Sequence, residues 1–369
     1  MDSQRFYSYS HPTDVHAVRA CLNDNALDLL AVGGENMVEV LQREQAETAV
    51  PTFKVIASFY IATAVRALAW SPRTVSPSAS DDWFLELVVA GTDKQLRLLL
   101  KSPSKDGSPD LEQIRPFGGG LSGHHKTIND VCFCTSETYQ THCASVGDDG
   151  LIMWNLYPKA EGEEDEYDDG AENTPGRNAT NGVDGAGTDT EEEVERSLEP
   201  ESRPSSRAPR TNTNAATPGA PIRPLLDAPA PQATAYIIKF PHPLHTISAH
   251  PNSASQFMVS DVRGVVCIVD WTKTTLGQES VGRPGWRGHR VVELVDPRAL
   301  ADGVAGGRGK WTGGAGWKRD DKNVIGATYG SRWSVWDLRK LQGGKPIATG
   351  EGMEYGGDRF RYALNSYRS

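Results

Sequence analysis

The chain has 369 residues, 38% of them hydrophobic, with 37 glycines and 23 prolines, which admits one large all-β domain or two ordinary ones and suits a turn-rich β protein. Its net charge of -10 is local: 17 acidic and 6 basic side chains lie between 160 and 230, leaving 31 acidic against 32 basic elsewhere. A near-neutral remainder excludes the basic footprint of a nucleic-acid-binding protein, and no apolar run has the length of a membrane span.

In chain order, the first repeat reads as strands at Val15–Ala20, Leu29–Gly34 and Met37–Leu41, split by turn residues, with an outer strand over Pro51–Phe59. The second opens with Val65–Pro72 and continues through Leu87–Gly91 to Leu96–Leu99. Asp93 holds its turn, and Leu99 stands where a Trp would otherwise sit. The third begins with Gly123-His124 and an alternating strand carrying Ile128, Val131 and Phe133. A small-residue strand (Cys143–Val146), a Gly-Asp-Asp-Gly turn and a strand ending at Trp154-Asn155 follow. Asp148 lies six residues before Trp154, as Asp93 lies six before Leu99, so two diverged repeats share one offset. A Gly-His start, an Asp turn and a terminal Trp at this spacing mark a WD-type repeat, the unit of a β-propeller blade. Such a unit cannot bury both faces alone and must stack on its copies.

Residues 159–232 break the pattern. They are acidic, then Gly/Asn/Thr-rich, then Ala/Pro-rich, and bury too little apolar surface to offset their ordering entropy. The expectation is a disordered insertion within blade three, because Ala235–Phe240 reads as that blade's delayed outer strand. A fourth repeat spans Leu244–Trp271, followed by an irregular segment with a strand at Val291–Val295. The fifth spans Gly316–Lys340, and Asp358–Leu364 reads as the stub of a sixth. The fold expected is all-β: a single WD40-type propeller domain over 1–369 with five recognisable blades. Seven blades is the common count, so a truncated chain is the favoured explanation of the open side, with a partner capping the gap as the alternative.

These repeats resemble the small seven-bladed WD-repeat nucleoporins of the Y-shaped outer-ring complex of the nuclear pore. Val65–Pro72 with the Asp93–Leu99 strand, Leu121–His124 through Leu156, and Ser334–Leu338 with Asp358–Arg361 carry the resemblance. It implies a non-enzymatic scaffold at the nuclear envelope, docked on the large propeller-plus-solenoid nucleoporin of a Y-complex arm and near other Y-complex subunits. Its support of protein and mRNA transport would be architectural, with no cofactor, metal, nucleic acid, membrane insertion or small-molecule substrate.

Chemistry-bearing residues are weighed on the same footing. His124, Ser145, Asp148 and Trp154, with Asp93, read as a hydrogen-bonded blade network and not a nucleophilic triad, because no G-x-S-x-G elbow exists. Cys132, Cys134, His142 and Cys143 invite a zinc reading, but C-x-C on a strand puts two thiols on one face as small core residues. The five cysteines, an odd set lying mostly in strands, fit reduced thiols in cytoplasm or nucleus. Gly306–Thr312 fails the phosphate-loop pattern at Val304 and Trp311. Trp336-Asp337-Leu338-Arg339 matches the W-D-x-R of substrate receptors of cullin-type ubiquitin ligases, the alternative function from a different class. Within the acidic segment, Ser197, Ser205, Ser206 and Thr217 are phosphorylation candidates.

Overall fold

A computed structural model describes residues 9–44, 52–104, 110–119, 123–158, 233–273, 288–298, 301, 313–318, 320–341, 344–352 and 360. Among the described residues twenty strands form five four-stranded antiparallel sheets, the architecture of a WD40-type β-propeller. By contacts, residues 1–159 and 231–369 make one unit and 160–230 another, and the strands of the described residues lie in the first. The acidic segment, its four phosphorylation candidates and Gly306–Thr312 lie outside the described residues, as does the expected sixth-blade stub apart from Phe360.

The first sheet comprises β1 (Ala17–Ala20), β2 (Leu29–Gly33), β3 (Met37–Glu44) and β4 (Thr52–Tyr60). The second comprises β5 (Val65–Trp70), β6 (Leu85–Gly91), β7 (Leu96–Ser102) and β8 (Leu111–Phe117). In the third, β9 (Ile128–Phe133), β10 (His142–Gly147) and β11 (Gly150–Asn155) are joined by β12 (Thr234–Ile238), which pairs with β11 from Asn155–Thr234 to Leu151–Ile238. The late strand therefore closes blade three across the intervening segment. The fourth sheet holds β13 (Leu244–Ala249), β14 (Gln256–Asp261), β15 (Val266–Asp270) and β16 (Arg290–Leu294). The fifth holds β17 (Ala315–Lys318), β18 (Asp321–Tyr329), β19 (Arg332–Asp337) and β20 (Ala348–Glu351).

Period-2 alternation gives each sheet two apolar faces, and facing sheets bury them in series. Leu29, Val38 and Phe59 of the first sheet meet Leu68, Leu87 and Leu99 of the second. Val88 and Leu98 of the second meet Val131 and Trp154 of the third. Met153 meets Phe257 across the third junction, and Ile268 meets Ile325 and Trp336 across the fourth. The first strands β1, β5, β9, β13 and β17 neighbour one another in that order, so the start of each repeat lies on the inner side of the array.

Polar groups cross these junctions too. Asp130 on β9 is fully buried. It accepts from Arg19 of β1 at 3.2 Å and from the Ile247 amide of β13 at 3.3 Å, while Arg19 also donates to the Leu68 carbonyl of β5. Glu86 on β6, also fully buried, accepts from Ser71 and from the Tyr157 hydroxyl just beyond β11, each at 2.5 Å. The Arg73 guanidinium lies over both the Phe84 and Tyr157 rings. Burial and the Glu86 charge push the Tyr157 hydroxyl well above its ordinary pKa.

Candidate functional site

The residues singled out by the third repeat converge on one connected chain. His124 precedes β9, Ser145 lies in mid-β10, and Trp154 ends the apolar run of β11. Trp154 Nε1 donates to Ser145 Oγ at 2.8 Å, and Ser145 Oγ lies 2.8 Å from His124 Nε2. His124 Nδ1 lies 2.5 Å from Asp149 Oδ1. A carboxylate can only accept, so Nδ1 donates to Asp149 while Nε2 pairs with the Ser145 hydroxyl. One connected chain thus runs from Trp154 through Ser145 and His124 to Asp149.

The carboxylate that reaches His124 belongs to Asp149, whereas the shared offset from the terminal Trp had singled out Asp148. Asp148 accepts from Asn129 at 3.1 Å instead, and Asn129 also donates to the Leu244 carbonyl of the next blade. The turn geometry separates the two acids. Gly150 has φ +132, and a Cβ there would meet the Ile238 carbonyl at 2.6 Å; a Cβ on Gly147 would meet the Thr127 carbonyl at 2.3 Å. Glycine at both ends draws the turn tight against its neighbours and swings Asp149 back over His124. Burial alone would raise the Asp149 carboxyl, but His124 and the amides of His125 and Lys126 hold it below its ordinary value. In blade two, Asp93 has no such histidine. It takes Arg97 Nη2 at 2.5 Å and the Gln95 amide, which outweigh its burial and lower its pKa, while Leu99 fills the core.

Ser-His-Asp connectivity alone would permit nucleophilic catalysis, but the geometry directs it inward. Ser145 is fully buried with its oxygen occupied by Trp154, and His124 is buried beside it, so no approach to the hydroxyl is open. The cysteines are divided between faces. Cys143 packs toward the second sheet, Cys134 and Cys132 toward the fourth. Burial pushes the Cys134 thiol up to about 12 and raises Cys132 and Cys143, which disfavours the thiolates a metal needs. Among the described residues no group of three His, Cys, Asp or Glu is placed to hold a metal ion. Arg339 of the W-D-x-R stretch donates to Asp337 at 2.8 and 2.9 Å and to Asp321 at 3.0 Å, so its guanidinium serves its own blade.

The buried clusters at Asp130 and Glu86 are the main features that sequence reasoning did not find. Their signal was a charged residue at a core-facing position of a strand: Asp130 within Ile128–Phe133, Glu86 within Leu85–Gly91.

The fold is that of a WD40-type β-propeller, with a buried hydrogen-bond chain running through its third blade. No family model matches the chain. Among curated proteins the chain is similar to the human nucleoporin Nup37, with 28% identity over 139 residues. That match covers 36% of this chain and 39% of the relative, well short of either full length.

Proposed function

We propose that this protein is a non-enzymatic scaffold subunit of the nuclear pore outer ring, docking within the Y complex on its large propeller-plus-solenoid nucleoporin. It would reside at the nuclear envelope and support protein and mRNA transport by holding that assembly together, without catalysis or a cofactor. The observation that carries this reading is the similarity to Nup37 on a chain folded as a blade array. The inward-facing hydrogen-bond chain from Trp154 to Asp149 agrees with it, since a scaffold needs rigid blades and no open nucleophile. Within this proposal the chain is one propeller domain interrupted by the insertion at 159–232, and His124, Ser145, Trp154 and the Asp148-Asp149 turn lock blade three.

Affinity purification of the tagged endogenous protein from nuclei, with mass spectrometry of its partners, tests this. Co-recovery of Y-complex nucleoporins in near-stoichiometric amounts is expected. Recovery of a cullin adaptor without nucleoporins would replace the scaffold reading with the ligase one, although Arg339 is tied to Asp337 and Asp321.

A further inference from the structure

The first and fifth sheets each pack one face on a neighbour, and each has a second face. Toward the second sheet β2 and β3 send Leu29, Ala31, Val38 and Val40. Alternation sends Val32, Glu39 and Leu41 the other way, yet they are only 4%, 6% and 0% exposed. That outer face is therefore covered. At its polar centre the cover is the segment before β1. Tyr9 donates its hydroxyl to Glu39, and His11 Nε2 lies 3.5 Å from the same carboxylate with its side chain 1% exposed. A Cβ on Gly34 would stand 2.1 Å from Thr13 Oγ1 and 2.4 Å from His11 Cε1, so glycine lets the strap lie flat. Thr13 Oγ1 also accepts the Glu35 amide at 3.1 Å.

The fifth sheet shows the same device in apolar form. Ile325, Ala327 and Trp336 face the fourth sheet. Gly326 faces away, opposite Gly316 on β17 and Val335 on β19. The Phe360 ring sits on it, close enough that a Cβ at 326 would meet Cε1 and Cζ at 2.1 Å. A glycine floor in mid-strand is a cost to the strand unless something packs there.

We propose that the second faces of the first and fifth sheets are docking surfaces occupied in cis by this chain's own residues: Tyr9–Thr13 latched on Glu39, and Phe360 on the Gly326 floor. Their role is to cover sheet faces that would otherwise drive self-association. This stands independently of the nuclear pore reading, and it places contacts with a partner elsewhere than on these two faces.

The test uses the full-length protein, with hydrogen exchange of strands β2–β3 and β18 and light-scattering mass over a dilution series. Glu39→Ala should speed exchange in β2–β3 about tenfold or more, and Phe360→Ala should do so in β18, each with concentration-dependent self-association. Gly326→Ala, which expels the ring while keeping it in the chain, should reproduce Phe360→Ala; Phe360→Leu, which keeps an apolar fill, should restore protection. His11→Ala provides a milder probe of the strap should Glu39→Ala not fold. Unchanged exchange at these strands in folded variants would overturn the proposal. So would a wild-type dimer that Glu39→Ala or Phe360→Ala converts to monomer, since that would mean occupation by a second copy.

Discussion

Ser145 is the joint of the blade-three hydrogen-bond chain, and Ser145→Ala removes it while adding no bulk. Two partners are stranded at once: the Trp154 indole N–H, on a residue 1% exposed, and His124 Nε2, on a residue 4% exposed. Each buried group left without a partner costs about 1–3 kcal/mol, so the substitution should destabilise by about 2–6 kcal/mol. At the roughly 2–4 °C per kcal/mol of a domain at or above about 200 residues, a fall of roughly 4–24 °C is expected. Differential scanning calorimetry gives the shift, and tryptophan fluorescence in folded protein reports the loosened indole. A drop below about 2 °C with unchanged emission would refute the reasoning, because Trp154 would then be held by packing against Phe117 and its neighbours alone.

The same chain predicts a pH dependence. Asp149 is held below its ordinary value, so its contribution is present above the unfolded carboxylate value near 4 and is lost as pH falls through the lower folded value; Asp149→Asn should flatten that acid limb of the stability curve. Asp130→Ala leaves Arg19 facing a buried gap and should cost about 3–5 kcal/mol, read as a lower urea midpoint with little change in slope. Phe59→Ala, fully buried between the first two sheets, should cost about 3–5 kcal/mol in the same assay. Deleting residues 162–230 with a short linker should move the midpoint by less than about 2 °C, because Asn155 and Thr234 already pair as neighbours; a large loss would defeat the assignment of that segment as an insertion.

The blades were legible where strands bury a face. Val65–Trp70 shows as an apolar run ending at a turn and Ile128–Phe133 as an alternating one, and even the delayed β12 was placed to within two residues. What escaped were the outermost strands β8 and β20. Leu111–Phe117 is largely exposed, carries Pro116 and alternates weakly, because an edge strand packs on one neighbour only. Ala348–Glu351 is short and polar for the same reason. The site was legible in residue type but not in partner choice. His124, Ser145 and Trp154 followed from spacing, whereas choosing between Asp148 and Asp149 needed the turn's backbone, which two glycines set against distant carbonyls. Arg19 and Asp130 are 111 residues apart in sequence, so no local window could pair them.

That pairing changes how the array should come apart. A stack of repeats that touch only adjacent repeats melts as a one-dimensional chain, unit by unit, and frays from its ends. Here one carboxylate links β1 to β9 and β9 to β13, and the guanidinium it holds also reaches β5. Four successive blades thus share a single electrostatic knot, and losing any one of them disturbs the other three. Unfolding of this part is thereby pushed toward an all-or-none event, with the fifth blade, which makes none of these contacts, left as the place where partial opening begins.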